Sequence, residues 1–237
     1  MRVDISFIVI FIIIMVIYFK IIIDMKKKYF TILTHDMKHH LFILLNKLDS
    51  ILRENNIRYF IIGGTLLGSV RNSKFIPWDD DADIGILKED LERFNKINFE
   101  KYGLKNQSVC ADGIGKIMFK DKYDNVNKME GVFVDVFTFE KIENKYMFTF
   151  DKAREWWPNE YFYEDELFPL KVYHFEDIKL YGPKESYKFC DRAWGKNWRD
   201  IKYRSMLYYY KYNFYKIMIS IYILFIFIFI FIWKRNN

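Results

Sequence analysis

The sequence predicts an α/β (α+β) domain, a mixed β-sheet flanked by helices, carried between an N-terminal and a C-terminal transmembrane helix. Three observations predict it. A short apolar strand runs into a glycine pair and then a helix. An acidic run leads into a second apolar strand. Both ends of the chain hold apolar runs almost free of charge.

The 237 residues leave room for one such domain with something added, and at 51% hydrophobic a sizeable core remains after the terminal runs are set aside. The net charge of +6 is interspersed along the chain. An excess of that size fits phosphate groups or anionic headgroups and is too diffuse for a nucleic-acid polymer, which is not expected as a partner. Two cysteines, Cys110 and Cys190, give no disulfide framework. Histidine is scarce, His39 and His40 alone are adjacent, and no Cys/His spacing for zinc is present.

Residues 5–23 carry one charge, Lys20, and residues 217–233 carry none. At about 1.5 Å per residue the first run approaches the roughly 30 Å of a bilayer core. A cleaved signal peptide is the alternative, but the apolar stretch is long and no small-residue cleavage site follows it. The expected division is therefore an N-terminal transmembrane anchor over 1–25, a domain over 35–205 and a C-terminal transmembrane helix over 217–233. Lys26, Lys27 and Lys28 after the first run, and Lys202, Arg204, Lys211 and Lys216 before the second, crowd the flanks that face the domain. Positive-inside reasoning then predicts a multi-pass protein of the lipid bilayer with its domain in the cytosol. A lumenal domain is the alternative, and there Asn106-Gln107-Ser108 would be a glycosylation acceptor.

Within the domain, Leu41, Leu44, Leu45, Leu48, Ile51 and Leu52 recur at helical spacing and predict an amphipathic helix over 35–56. On it His39 and His40 are expected at the surface. Residues 57–62 form a short apolar strand that runs into Gly63-Gly64, and Thr65 begins a second helix as its N-cap. A strand, a glycine turn and a helix start together offer free N–H groups to an anion, so Gly63, Gly64 and Thr65 are candidate phosphate-binding residues.

Asp79-Asp80-Asp81-Ala82-Asp83 then enters an apolar strand through Ile84 and Ile86. Residues two apart on a strand share a face, so Asp81 and Asp83 point the same way, with Asp79 beside them where the strand begins. Carboxylates so presented suit a hard divalent cation, Mg²⁺ or Mn²⁺. A solvated acidic loop is the alternative. An EF-hand is excluded, because positions six and twelve from Asp79 are Ile84 and Asp90. A helix over 88–97 follows, with Leu91, Phe94 and Ile97 inward, and then strands over 115–120 and 131–139. In the second strand Phe133, Asp135 and Phe137 share one face. A carboxylate there is costly to bury unless paired or bound to metal, which makes Asp135 the third acidic candidate; an exposed edge-strand residue is the alternative. Residues 151–215 are aromatic and basic, interrupted by Pro158, Pro169 and Pro183, and most of the aromatic residues are expected in the core.

These blocks resemble the LicD family, which includes the fukutin and fukutin-related proteins. The likeness is carried by Gly63 to Gly68, Arg71, and Ile76-Pro77-Trp78-Asp79-Asp80-Asp81-Ala82-Asp83-Ile84, and more loosely by Val134-Asp135-Val136-Phe137, Leu167-Phe168-Pro169-Leu170, Pro183 and Trp194-Gly195 with Trp198. The resemblance spans roughly residues 45–200 and implies a nucleotidyltransferase-like fold. It implies transfer of phosphocholine, ribitol phosphate or a similar group from a CDP-activated donor to a glycan or glycoconjugate. By resemblance Asp81 and Asp83 would hold the metal, Asp135 would complete the site as ligand or general base, Gly63, Gly64 and Thr65 would hold donor phosphates, and Arg71 would neutralise phosphate. Two other readings stand beside it: a catalytically inactive relative that binds a nucleotide or glycan, and a nucleotidyltransferase acting on another substrate.

Overall fold

The leucine stripe of the first helix sets the core in the computed structural model, which describes residues 33–77, 79–110, 114–120 and 132–199, together with Lys20. Helix α1, His35–Glu54, starts where Thr34 accepts a hydrogen bond from the Met37 N–H at 3.2 Å. Its six stripe residues are all 1% exposed or less, each stabilising the fold by about 2 kcal/mol on burial. The helix stops at Glu54, slightly short of the expected end. The Asn55 side chain donates to Ile51 O, and Asn56 turns into the left-handed region at φ 54°. His39 is exposed and His40 half-buried.

Strand β1, Tyr59–Ile61, is wholly buried. Helix α2, Gly63–Asn72, and strand β2, Ala82–Leu87, follow. The stretch expected as one helix over 88–97 is a 3₁₀ turn, Lys88–Asp90, leading into the short helix α3, Leu91–Asn95. Phe94 is buried there, and Leu91 and Ile97 pack against the core. Strands β3, Leu104–Cys110, and β4, Ile114–Phe119, form a hairpin, and β5, Phe133–Ile142, is the longest strand among the described residues. After β6, Lys145–Phe148, come helix α4, Asp151–Trp156, strand β7, Phe162–Tyr163, and helix α5, Glu164–Leu167. Strands β8, Lys171–Phe175, and β9, Ile178–Gly182, pair as a separate hairpin, and helix α6, Ser186–Trp194, ends the series.

The main sheet runs β1-β2-β5-β4-β3, with β6 and β7 added beyond the second half of β5. Its one parallel pairing is β2 with β5; the others are antiparallel. This is the mixed sheet flanked by helices that the sequence predicts. Helix α1 packs against β5. Ala82, Ile84, Ile86, Val134 and Val136 are buried, while the alternate positions 83 and 135 are only partly so. Alternation therefore gives this part of the sheet a greasy face and a face that carries carboxylates.

The expectation of transmembrane helices is corrected. No helix among the described residues is long and apolar enough to cross a membrane. Helix α1 has the length, at 20 residues, but only one apolar stripe; Asp36, Lys47, Asp49, Arg53 and Glu54 interrupt the rest of its surface. Residues 5–23, Lys20 apart, and 217–233 lie outside the described residues. The multi-pass membrane localisation, which rested on those two runs, is withdrawn with the spans. The aromatic expectation holds for most of the described residues after 151: Phe162, Phe175 and Phe189 are buried, and Phe168, Tyr173, Tyr181 and Trp194 pack against the core. Trp198 is buried, but Trp156 and Trp157 are exposed and Tyr161, Tyr163, Tyr173 and Tyr181 are half-buried.

Candidate metal and phosphate site

Helix α2 begins at Gly63 rather than at Thr65. Ile62 is its N-cap, in extended conformation, and Gly63 takes φ +50°, where a side chain would be strained. Thr65 is thus inside the first turn and buried, and its Oγ1 accepts from the Asp83 N–H at 2.8 Å. In return the Gly64 N–H donates to Asp83 Oδ2 at 3.0 Å. These two bonds lock the helix start to strand β2. The missing side chains also have a local reason. A Cβ on Gly63 would lie 2.6 Å from Asp83 Oδ2, and one on Gly64 would lie 1.9 Å from Asp79 Oδ2. The positive end of the helix is therefore met first by the chain's own carboxylates.

Asp81, just ahead of β2, joins Asp83 and Asp135, and ligand oxygens of the three lie within 4.8 Å of one another. The pairing of β2 with β5 explains why: Asp83 is directly opposite Asp135 in parallel register. Strand β5 lies between β2 and β4, so Asp135 is on a central strand and not at an edge. Asp79 is not one of the three; its carboxylate lies against Gly64 and its charge acts on Asp81 and Asp83. Arg71 is in the last turn of α2, about two turns along the helix from Gly63.

Two residues near the site carry no signal in the sequence. Lys116 on β4 is opposite Asp135 in register, and its Nζ stands 2.8 Å from Asp135 Oδ1. This ion pair places a positive charge directly on the buried carboxylate oxygen. Glu160, whose N–H donates to Trp157 O, adds its charge to the field at Asp83. Lys116 lies on a predicted strand, but nothing in the sequence shows its partner. Glu160 follows Pro158-Asn159 with no pattern at all.

The crowding raises the affinity of these groups for protons. Burial, then Asp81, Asp79, Asp135 and Glu160, hold Asp83 well above the usual carboxylate range. Burial, then Asp79 and the other neighbouring carboxylates, push Asp81 up to about 8, against the pull of Lys116. Burial and Asp80 raise Asp79 to about 7, and burial alone raises Glu160 to about 7. Asp135 is raised by burial despite Lys116. A donor set of carboxylate oxygens with no His or Cys suits a hard divalent ion of the Mg²⁺ or Mn²⁺ type. The mutual repulsion among these carboxylates is the feature such an ion would relieve. The residues fit the ion; they do not choose which.

Fold and site together define a mixed α/β sheet that carries a carboxylate trio beside a glycine-started helix. The family model described as "LicD/FKTN/FKRP, nucleotidyltransferase domain" matches residues 56–185, more than half of the chain, and the chain belongs to that family. A protein of Rickettsia prowazekii (strain Madrid E), itself uncharacterized, is 36% identical over 147 residues, covering 61% of this chain and 50% of that one. The lipopolysaccharide cholinephosphotransferase LicD of Haemophilus influenzae is 28% identical over 116 residues, 44% of each chain. The human ribitol-5-phosphate transferase FKTN is 25% identical over 158 residues, 66% of this chain and 32% of that one. This chain spans half or less of the length of these curated relatives.

Proposed function

We propose that this chain is a metal-dependent transferase that moves a phospho-alcohol group, phosphocholine, ribitol phosphate or a similar one, from a CDP-activated donor to a glycan or glycoconjugate, with residues 35–205 as its catalytic domain. One observation carries the reading: in a LicD-family chain, carboxylate oxygens of Asp81, Asp83 and Asp135 gather within 4.8 Å beside the Gly63-Gly64 turn. The names of the Haemophilus and human relatives supply the class of group transferred.

In this reading Asp81, Asp83 and Asp135 hold the divalent ion, and Asp79 supports them from the glycine turn. The ion supplies charge neutralisation at the donor's diphosphate. Phosphoryl transfer asks a protein chiefly for positioning and electrostatics, and this site is built of both. Gly64 and Thr65 fix Asp83 through the two hydrogen bonds at the helix start, Gly63 supplies the φ +50° turn ahead of them, and the donor phosphates would lie against these three residues. Arg71, farther along α2, would steer anions toward the site. Asp135 has a second possible duty, taking the acceptor hydroxyl's proton.

The test is release of CMP from CDP-choline or CDP-ribitol by the purified full chain with Mg²⁺ or Mn²⁺. Turnover in the parent, lost by roughly a hundredfold or more in both Asp81→Asn and Asp83→Asn, supports the proposal. Metal-dependent CDP binding without turnover would instead make this an inactive relative. Consumption of ATP with another acceptor, and none of the CDP donors, would move it to a different nucleotidyltransferase reaction.

A further inference from the structure

Three neighbouring strands bring one residue each into a single row: Asp83 on β2, Asp135 on β5 and Lys116 on β4. Adjacent strands are about 4.8 Å apart, so each side chain in the row has the next as its nearest cross-strand neighbour, on the same face of the sheet. Lys116 is held from two sides. Its Nζ stands 2.8 Å from Asp135 Oδ1 and 3.3 Å from the centre of the Phe133 ring. Its side chain keeps 26% of its exposure, against 15% for Asp135. The ammonium is thus fixed in place and still open to solvent on one side.

Charge makes this placement consequential. Three ionised carboxylates and one divalent ion leave one negative charge over. Lys116 supplies the positive charge set against it within the row, while Asp79, Asp80 and Glu160 add negative charge around the row. A second divalent ion would have to approach a fixed ammonium already seated on one of the three carboxylates, at a separation where like charges repel strongly. We propose that Lys116 takes the place of a second metal ion. It restrains Asp135 and weakens the triad's grip on the divalent ion while the site is empty of donor, and it offers its ammonium to a diphosphate oxygen when donor arrives. Part of this rests on the transferase reading above, namely the diphosphate; the restraint on Asp135 does not. Lysine is suited to the task, since a compact ammonium on a flexible stem can be shared between a carboxylate and a phosphate.

Two binding measurements on the full chain test it: Mn²⁺ titration, read by the free-ion EPR signal, and binding of CDP and of inorganic pyrophosphate at saturating Mn²⁺. The parent is expected to take one Mn²⁺ per chain. Lys116→Met is expected to bind Mn²⁺ at least tenfold more tightly without donor, and to bind CDP and pyrophosphate at least tenfold more weakly. Lys116→Arg, which keeps the charge, should stay within a few-fold of the parent in both. A residue that merely supported the fold would weaken both together, and that result overturns the proposal. So does unchanged Mn²⁺ affinity in Lys116→Met, or two tightly bound ions in the parent. Lys116→Gln serves the same measurements if the apolar variant fails to fold. A parent that binds Mn²⁺ but neither CDP nor pyrophosphate defeats the donor half and the transferase reading, and leaves the restraint on Asp135 to be decided by the Mn²⁺ titrations alone. A parent that binds no Mn²⁺ defeats both.

Discussion

Gly63 and Gly64 are neighbours in sequence but are constrained by different things. Gly63 has φ +50°, and its absent Cβ would meet the Oδ2, Cγ and Cβ atoms of Asp83 within 3.2 Å. Both the backbone and the short, hydrogen-bonded Asp83 side chain resist a methyl group there. At Gly64 the backbone is ordinary helix, and the clash at 1.9 Å is with Asp79 Oδ2, the far end of a side chain that can swing aside. Alanine at 63 is therefore expected to cost about 1–3 kcal/mol. Alanine at 64 is expected to stay within about 1 kcal/mol of the parent, because helix propensity offsets the displacement. Urea unfolding of Gly63→Ala and Gly64→Ala checks this, and a larger loss at 64 than at 63 would contradict it. The same pair shows what a sequence discloses at this scale. The turn and the period-two carboxylates at 81 and 83 were legible because each is a local pattern. That the turn is shaped around Asp79 and Asp83 was not, since it depends on contacts between positions 64 and 79 and between 63 and 83.

Strand β5 shows the same division one level up. Its alternation of Val134 and Val136 against Phe133 and Asp135 was readable, though the strand runs Phe133–Ile142 where 131–139 was expected and Phe137 is buried as well. Its neighbours were not readable, and they decide the site: register puts Asp135 beside Asp83 on one side and Lys116 on the other. The region after 151 was harder still. Short strands such as β8, with Tyr, His and Lys among few aliphatics, lack a clean period, and proline punctuation hides the β8–β9 hairpin and α6. A charged pair is buried in that region beside the apolar core of Phe162, Phe175 and Phe189. Glu166 in α5 is 5% exposed; it accepts from the Tyr163 N–H and from Arg192 Nη2 at 2.8 Å, while Arg192 lies over the Tyr161 ring. Removing one partner leaves a buried charge uncompensated, so Arg192→Met is expected to cost about 3–5 kcal/mol, a fall in Tm of roughly 10 °C for a chain of this size. The double variant Glu166→Gln with Arg192→Met should recover part of that loss. A fall of less than about 2 °C in the single variant, on the same scale, would show the pair to be ornamental.

At the scale of the whole molecule, the site is a destabilising feature that the remainder of the fold must hold in place. The six buried stripe residues of α1 and the aromatic contacts among Phe60, Phe139 and Phe162 fix strands on which several carboxylates are forced together. Asp79, Asp81 and Asp83 all bind protons more tightly folded than unfolded, with Asp79 at about 7 and Asp81 at about 8. Unfolded aspartates titrate near 3.9. Between about pH 4 and pH 8 the folded chain therefore holds the extra protons, and these groups make stability fall as pH rises through that window. The sign is opposite to that of a salt-bridged aspartate, whose contribution is lost as pH falls. A divalent ion supplies the positive charge that protons supply at low pH, so it should stabilise most where the carboxylates are ionised. Thermal unfolding in EDTA is expected to give a lower Tm at pH 8 than at pH 6, and millimolar Mn²⁺ should raise Tm more at pH 8 than at pH 6. Asp81→Asn removes one of the crowded charges. In EDTA it should be more stable than the parent at pH 8, with a flatter dependence on pH, and it should lose most of the Mn²⁺ effect. If Asp81→Asn instead lowers Tm in EDTA at pH 8, the carboxylates are not straining the fold, and the electrostatic account of this site is wrong.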